Sequence, residues 1–279
     1  SWVGGANFYQ IFVERFANGD DSLSPKNVQP WGTPPTRSNF MGGDLPGIIQ
    51  HLDYLQELGV TALYLTPIFE GGSNHKYDTE DYGRIDPHFG DEDTLRELVQ
   101  KAHEHGIRVV LDAVFNHCSF HFPPFQDVLK NGENSPYKTW FRAKEFPLTI
   151  APQNYEGFAI GPYMPKLNLA DEGMRQHILK NVEKWTRCGI DGWRLDVADA
   201  VDCVFWRDFR RLVRSINPEA VIIGECWWNS ADWLRGDMWD GVMNYPVERP
   251  SELYFAKSAI SAEEFTNRVN QVRMRYTRM

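Results

Sequence analysis

Short apolar runs rich in β-branched residues alternate along the chain with longer segments whose apolar positions recur at helical spacing. A short apolar run is typical of a strand buried in a parallel sheet, and helical spacing indicates an amphipathic helix. Six strands are predicted, at residues 6–13, 62–67, 108–115, 192–197, 221–226 and 241–245. Five helices are predicted between and after them, at residues 48–58, 91–104, 171–187, 204–216 and 261–274. This alternation predicts an α/β fold built on a parallel sheet.

Two of the predicted strands end in charged residues. Arg194 and Asp196 belong to the fourth strand, and Glu225 lies at the end of the fifth. Because the carboxyl ends of parallel strands meet at one edge, we expect both carboxylates to face one cavity. Such a pair can cleave a glycosidic bond, one group attacking the anomeric carbon while the other protonates the leaving oxygen. Arg194, two residues before Asp196 on the same face, is expected to keep that aspartate ionised.

Either carboxylate alone is equally well interpreted as an ordinary polar residue at a strand end. Three segments strengthen the catalytic interpretation: 112–117 (DAVFNH), 192–196 (GWRLD) and 224–225 (GE). In this order they resemble the signature motifs of the α-amylase family of retaining glycoside hydrolases. Residues 164–168 (MPKLN) resemble the additional motif of its neopullulanase, cyclomaltodextrinase and maltogenic amylase branch. The resemblance extends over nearly the whole chain.

The resemblance implies a (β/α)8 TIM barrel instead of a doubly wound sheet, present here as about six βα units. Residues 1–116 would form the first three units and residues 171–279 units four to six. The segment 117–170 has many proline and aromatic residues and little periodicity. It resembles the subdomain that this family inserts after the third strand, where it would form a wall of the cleft.

The family's third catalytic acid follows a histidine beyond the seventh strand, and no histidine follows His177 in this sequence. The resemblance therefore implies that strands seven and eight, the third acid and the C-terminal β domain are absent. The N-terminal module typical of the branch is absent too. We accordingly expect a fragment of a longer enzyme, which would form a homo-oligomer or be complemented by its missing C-terminal part.

The family pattern also implies residues that bind the sugar. His117 would donate a hydrogen bond to the sugar at the cleavage point, and Asp112 would flank the same strand end. Tyr77 resembles the aromatic platform under that sugar, while Asp78 would brace Arg194. Trp227, with Trp228 beside it, would line the acceptor side of the cleft, although core packing is an equally good interpretation for both tryptophans.

A calcium site is a further implication of the branch. Side chains of Asn18, Asp20, Ser24 and Asp44 would supply oxygen ligands, and Leu23 and Gly42 would supply backbone carbonyls. Calcium prefers such hard oxygen donors. The alternative is a turn that contains Asn, Gly and Asp because turns favour these residues.

Composition narrows the classes of partner. The net charge of −9 argues against nucleic acid and anionic membranes. No apolar run approaches the ~20 residues of a membrane span, and the start does not resemble a secretory signal. Four scattered cysteines without metal-like spacing are expected to be free thiols, which favours the cytoplasm but leaves secretion open.

Three functions remain open. The first is hydrolysis of α-1,4 bonds, with α-1,6 bonds as a further candidate, in maltodextrin, cyclodextrin or pullulan. The second is transglycosylation on the same fold, with a sugar as acceptor in place of water. The third is a catalytically idle module that binds glucan or another protein, because the third acid is absent. An idle module has no need of Arg194, Asp196 and Glu225, which favours the enzymes.

Overall fold

Eight strands form two sheets in the computed structural model, which describes residues 2–159 and 161–276. They are β1 (Phe8–Ile11), β2 (Ala62–Leu65), β3 (Phe69–Gly71), β4 (Thr79–Ile85), β5 (Arg108–Ala113), β6 (Gly192–Leu195), β7 (Val221–Gly224) and β8 (Gly241–Val242). The main sheet has the order β1-β2-β5-β6-β7-β8, and all of its pairs are parallel. This confirms the six predicted parallel strands.

The six strands are shorter than predicted, and β6 and β7 end one residue before Asp196 and Glu225. The prediction for 241–245 is wrong in extent, since β8 has two residues and Tyr245 begins a helix. Asn244, with φ +54°, ends the extended conformation there. The antiparallel pair β3–β4 was not predicted, because β4 is rich in charged and partly exposed positions.

Eight α-helices surround the sheet within the described residues. They are α1 (Leu45–Gln50), α2 (Leu52–Glu57), α3 (Glu92–Glu104), α4 (Pro123–Asn131), α5 (Glu172–Thr186), α6 (Cys203–Ile216), α7 (Tyr245–Ser251) and α8 (Ala262–Arg273). None of them is long and apolar enough to cross a membrane. The single helix predicted at 48–58 is wrong, because the chain divides it at His51. The His51 ring Nδ1 lies 2.7 Å from the Gly47 carbonyl oxygen, which would be the helical acceptor for the His51 amide. That amide donates to the Ile48 carbonyl instead.

The main helices pack one apolar face against the sheet. In α3 the buried face consists of Leu95, Leu98, Val99 and Ala102. Asp91 caps its first turn by accepting from the Thr94 amide at 2.9 Å, and Gly106, with φ +70°, follows its end. Helix α6 buries Phe205, Trp206, Phe209 and Val213 in the same layer. This layer fixes the strands whose ends carry the candidate catalytic groups.

The segment 117–170 contains α4, which its weak periodicity did not predict, and several isolated β-bridges. One bridge joins His117 to Lys166 and another joins Phe141 to Leu167, so the segment closes back on the end of β5. Helix α4 buries Phe125 and Val128 within it. The three-part division of the chain stays a prediction, and its last three residues, 277–279, lie outside the described part.

Candidate active site

A buried arginine on β6 is the centre of the candidate site. Arg194 lies beside Asp112 of β5 in the sheet register, and its side chain is 6% exposed. Its Nη1 donates to both oxygens of Asp112 at 3.0 Å and to Asp196 Oδ1 at 2.7 Å. Its Nη2 lies 2.8 Å from Glu225 Oε2. One guanidinium therefore joins carboxylates from the ends of three neighbouring strands, as charge-assisted hydrogen bonding favours.

Glu225 is held by groups from two further segments. The Val197 amide donates to Glu225 Oε2 at 3.1 Å, and the Tyr245 hydroxyl donates to Oε1 at 3.2 Å. Val197 has φ +45°, an uncommon conformation for a β-branched residue. This turn after β6 directs the Val197 amide at Glu225. The two candidate catalytic carboxylates thus share both Arg194 and the turn between them.

Asp112 is the most deeply buried of the three carboxylates. Tyr64 of β2 donates to its Oδ2 at 2.5 Å, and Tyr77 donates to the same oxygen at 3.0 Å. Burial raises the pKa of Asp112, and hydrogen bonds from Arg194 and the two tyrosines oppose this effect. Asp112 is therefore fixed between Arg194 and the rings of Tyr64 and Tyr77, which form the aromatic wall of the site.

The charges in the site do not balance, because one guanidinium faces three carboxylates. Burial raises the pKa of Asp196 to about 8, and the neighbouring Asp112 and Glu225 carboxylates add to this effect. Arg194 opposes it. Burial and two like charges thus act against the expectation that Arg194 keeps Asp196 ionised, and that expectation stays a prediction. Burial disfavours the charged form of Arg194 itself, but the carboxylates raise its pKa.

His117 lies directly after β5 and is buried beside Asn116. Asn116 Nδ2 is 3.2 Å from His117 Nδ1, while His117 Nε2 and Asn116 Oδ1 have no hydrogen-bond partner among the described residues. Burial lowers the pKa of His117 to about 4, so the ring is neutral at pH 7. Phe158 of the inserted segment stacks on it, with ring centroids 4.5 Å apart. The unpartnered nitrogen argues against a satisfied core histidine.

Tyr77 lies in the loop between β3 and β4, which carries it to the site. The ring is partly buried, and the hydroxyl faces Asp112 as described above. The neighbouring Asp78 was expected to brace Arg194, and this is wrong. Asp78 instead accepts hydrogen bonds from the Ser73 amide at 3.1 Å and from the Ser73 hydroxyl, which close the loop. Asp112 braces Arg194 in its place.

Trp227 and Trp228 follow Glu225 and lie on the surface. They are 57% and 68% exposed, so core packing is wrong for both. Trp227 stacks almost parallel on Tyr245 at 4.0 Å, and Trp228 Nε1 donates to Asp199 Oδ2 at 3.1 Å. An exposed, oriented indole next to the site suits a sugar ring. The acceptor-side role of Trp227 stays a prediction.

The six residues expected to bind calcium belong to the loops between β1 and α1. Asn18 Nδ2 donates to Ser24 Oγ at 2.8 Å, and a Cβ on Gly42 would lie 2.9 Å from that oxygen. Asn18 Oδ1 is buried without a hydrogen-bond partner among the described residues. Leu23 ends a short turn beside them. A buried amide oxygen without a donor fits a ligand for a hard cation.

The two carboxylates of this set have local partners. Asp44 caps α1 by accepting from the Gly47 amide at 2.7 Å, and it also accepts from the amides of Gly19 and Asp20. Burial raises the pKa of Asp44, and the charge of nearby Asp20 adds to this effect. Asp20 accepts from the Ser22 amide at 2.9 Å. A divalent cation near both carboxylates would relieve their repulsion.

Sequence reasoning missed Tyr64, Tyr245 and Phe158. Tyr64 had a detectable signal, since it is the only residue with a polar side-chain atom in the otherwise apolar β2. In the register it pairs with Val110, two residues before Asp112, which places it on the face of the site. Tyr245 and Phe158 had no detectable signal in the sequence, because an irregular turn brings Tyr245 to Glu225 and a loop brings Phe158 to His117.

Comparisons with known proteins agree with this geometry. A family model described as the catalytic domain of alpha amylase matches residues 10–278. The curated relatives include a cyclomaltodextrinase from Geobacillus thermopakistaniensis strain MAS1, which is 55% identical over 97% of this chain and 47% of its own length. An intracellular maltogenic amylase from Bacillus subtilis strain 168 is 51% identical over 96% of the chain and 46% of its own length. Neopullulanase 2 from Thermoactinomyces vulgaris is 50% identical over 99% of the chain and 48% of its own length.

A solved structure shares the fold. The cyclic alpha-maltosyl-(1→6)-maltose hydrolase from Arthrobacter globiformis, in complex with that sugar, superposes with a TM-score of 0.95. It is 43% identical, and the match covers 99% of this chain and 63% of that one. The six-stranded sheet is thus part of a TIM-barrel fold, as the sequence predicts. The chain spans about half the length of the curated relatives it matches.

Proposed function

This chain belongs to the alpha-amylase catalytic-domain family, and on this premise we propose that the protein is a retaining α-glucoside hydrolase. The main support is that Asp196 and Glu225 both contact the Arg194 guanidinium, at 2.7 and 2.8 Å. Asp196 would attack the anomeric carbon and form a glycosyl ester. Glu225 would protonate the leaving oxygen and then take a proton from the attacking water.

The remaining residues would position the sugar and the acids. Arg194 and Asp112 orient the Asp196 carboxylate, while Tyr77 would stack under the sugar at the cleavage point. The neutral His117 would donate its unpartnered Nε2–H to a sugar hydroxyl. Each of these groups is fixed by contacts within the protein, so little reorganisation is needed when the substrate binds.

We propose α-1,4 glucans as substrates, with α-1,6 bonds as a further candidate, in maltodextrin, cyclodextrin or pullulan. The names of the relatives support this substrate class. The exposed Trp227, stacked on Tyr245, favours transglycosylation to a sugar acceptor as a second activity. Product analysis with maltotriose separates the two, because transglycosylation yields oligosaccharides longer than the substrate.

The test of the reaction uses Asp196→Asn and Glu225→Gln in the native full-length protein. Each should lower kcat by several orders of magnitude on maltodextrin. On an aryl maltoside the Glu225→Gln defect should be much smaller, because a good leaving group needs little protonation, whereas Asp196→Asn should stay inactive. Asp232→Asn, at an exposed position, is the control. Equal defects of the two variants on both substrates would contradict the assigned roles.

We also propose that calcium binds at Asn18, Asp20, Ser24 and Asp44, with the carbonyls of Leu23 and Gly42. The support is the buried Asn18 Oδ1 without a donor beside two carboxylates. Calcium should raise the melting temperature, and a chelator should remove the gain. Asn18→Leu, which fills the space without an oxygen, should abolish the response. A melting curve independent of calcium in the unaltered protein would remove the site.

We propose a cytoplasmic location as well. Its support is the Bacillus subtilis relative, which is named intracellular, and the four cysteines, all of which are free thiols. Fractionation of cells with an antibody against this chain is the test, and recovery from the culture medium would contradict it.

A further inference from the structure

A preformed cavity of about 610 Å³ lies on the catalytic face, apart from the carboxylates. Phe12, which directly follows β1, forms part of its wall, and Trp31 and Arg37 come from the loop beyond. His75 lines it on the side of the site, and the His75 ring is 5.8 Å from that of Tyr77. The cavity is therefore adjacent to the aromatic wall of the active site.

The wall of this cavity is fixed by hydrogen bonds before any ligand binds. Arg15 Nη2 donates to the carbonyls of Thr36 and Asn39, each at 2.9 Å. Asn74 Nδ2 donates to the same Asn39 carbonyl at 2.8 Å. Asn74 belongs to the loop that carries His75 and Tyr77, so the cavity wall and the site are tied to each other. Binding sites for small molecules are usually preformed in this way.

Trp31 is presented at the mouth of the cavity by a tight turn. The Thr33 amide donates to the Pro30 carbonyl at 3.1 Å, and Gly32 has φ +91°. This is the third turn position, where a left-handed conformation favours glycine. The turn leaves the indole 49% exposed. An aromatic side chain held in water by a defined turn offers one apolar face to a ligand.

Donors without partners accompany this face. Within residues 2–159 and 161–276, neither the Arg37 guanidinium nor the Trp31 indole nitrogen makes a hydrogen bond or ion pair. A sugar ring has an apolar C–H face and a rim of hydroxyls that accept hydrogen bonds. An exposed indole with a free guanidinium beside it matches both features.

We propose that this cavity is a second glucan-binding site, in which Trp31 stacks on a glucose unit remote from the cleaved bond. The inference rests on the proposed function, because it takes the substrate to be an α-glucan. The glucose unit that stacks on Trp31 would belong to the part of the glucan that extends past Tyr77. Long glucans would reach Trp31 and the catalytic groups together, whereas short ones would reach the catalytic groups alone.

The test is isothermal titration of the full-length Glu225→Gln protein, which should not turn substrate over, with maltotriose and maltoheptaose. Adding Trp31→Ala should weaken maltoheptaose binding by roughly fivefold to tenfold and change maltotriose binding by less than about twofold. Trp31→Phe should retain most of the affinity, which separates loss of stacking from loss of folding. Tyr54→Ala removes an aromatic residue that is 50% exposed on α2 and is the control.

Equal weakening for both sugars, or no weakening for maltoheptaose, would overturn the second site while leaving the proposed function intact. Binding of neither sugar by the parent protein would overturn both. The melting temperature of each variant is measured in parallel. A fall in melting temperature that accompanies the affinity loss in both Trp31→Ala and Trp31→Phe would assign Trp31 a structural role and overturn the proposal.

Discussion

At the scale of single residues, the site combines a cation and three acids that cannot all be ionised at low energetic cost. Asp196, which would be the nucleophile, has its pKa raised to about 8 by burial and by its acidic neighbours. The nucleophile reacts only when ionised, so its function and its environment are opposed. Strain of this kind is typical of catalytic groups.

Replacing this acid should therefore stabilise the fold. The folded pKa of Asp196 lies above the ordinary value for an aspartate, so its contribution to stability is fully present below that value and is lost as pH rises toward 8. Asp196→Asn removes this loss. Its melting temperature should exceed that of the parent slightly at pH 4.5 and by several degrees at pH 8. Thermal unfolding of both proteins across this range checks it, with Asp232→Asn as the control; a gain independent of pH would contradict it.

At the scale of elements, the loop between β3 and β4 depends on a buried ion pair. Lys76 is 2% exposed and has φ +60°. Its Nζ lies 2.6 Å from Asp86 Oδ2 and donates to the Gly71 carbonyl at 2.8 Å. This contact anchors the loop next to Tyr77. Lys76, which would not contact the sugar, would thus position Tyr77, which would.

Removing the charge of Lys76 should be costly, because the buried Asp86 carboxylate then keeps the His88 ring, 3.0 Å from its Oδ1, and backbone amides but loses the ammonium group. Lys76→Met should lower the free energy of unfolding by about 3–5 kcal/mol. Lys101→Met, which breaks the exposed pair with Glu97, should lower it by less than about 0.5 kcal/mol. Denaturant unfolding of the two variants measures both values. Similar small losses would show that the buried pair does not anchor the loop.

Sequence patterns predicted the elements that have a strong periodic signal. The apolar runs of β2, β5, β6 and β7 and the amphipathic faces of α3, α5 and α6 were found, because burial against the sheet determines them. The break at His51 was not, since a single side chain competes for one helix carbonyl. In the site, the motifs named the strand-end residues but not Tyr245, whose position depends on tertiary packing. The pKa of Asp196 depends on the burial of a whole cluster, which no local pattern encodes.

At the scale of the whole molecule, the main sheet has two outer strands. Within the described residues, β1 pairs only with β2, and β8 pairs only with β7. Phe8 on the first of these strands is 38% exposed, although it also lines a cavity of about 350 Å³ inside the curved sheet. Unpaired strands next to apolar side chains promote association with other chains.

A protein consisting of these 279 residues alone should therefore self-associate at micromolar concentration. Light scattering measures this directly. Phe8→Lys places a charge on the outer strand and should reduce the association, because lysine disfavours edge pairing. Tyr54→Lys, at an exposed position of α2, should leave the association unchanged. A monodisperse monomer at all concentrations would show that the outer strands are not adhesive.

Without the Arg194 side chain, the three carboxylates around it would form a receptor for guanidinium ion. Arg194→Ala would leave Asp112, Asp196 and Glu225 facing a space shaped by the guanidinium they now hold. Free guanidinium ion has the same planar shape and the same donors. Millimolar guanidinium, far below denaturing concentrations, should then restore part of the lost activity in the full-length variant, while neutral urea of similar size should not. The activity of the variant would then depend on a diffusible ion that occupies the place of the Arg194 guanidinium.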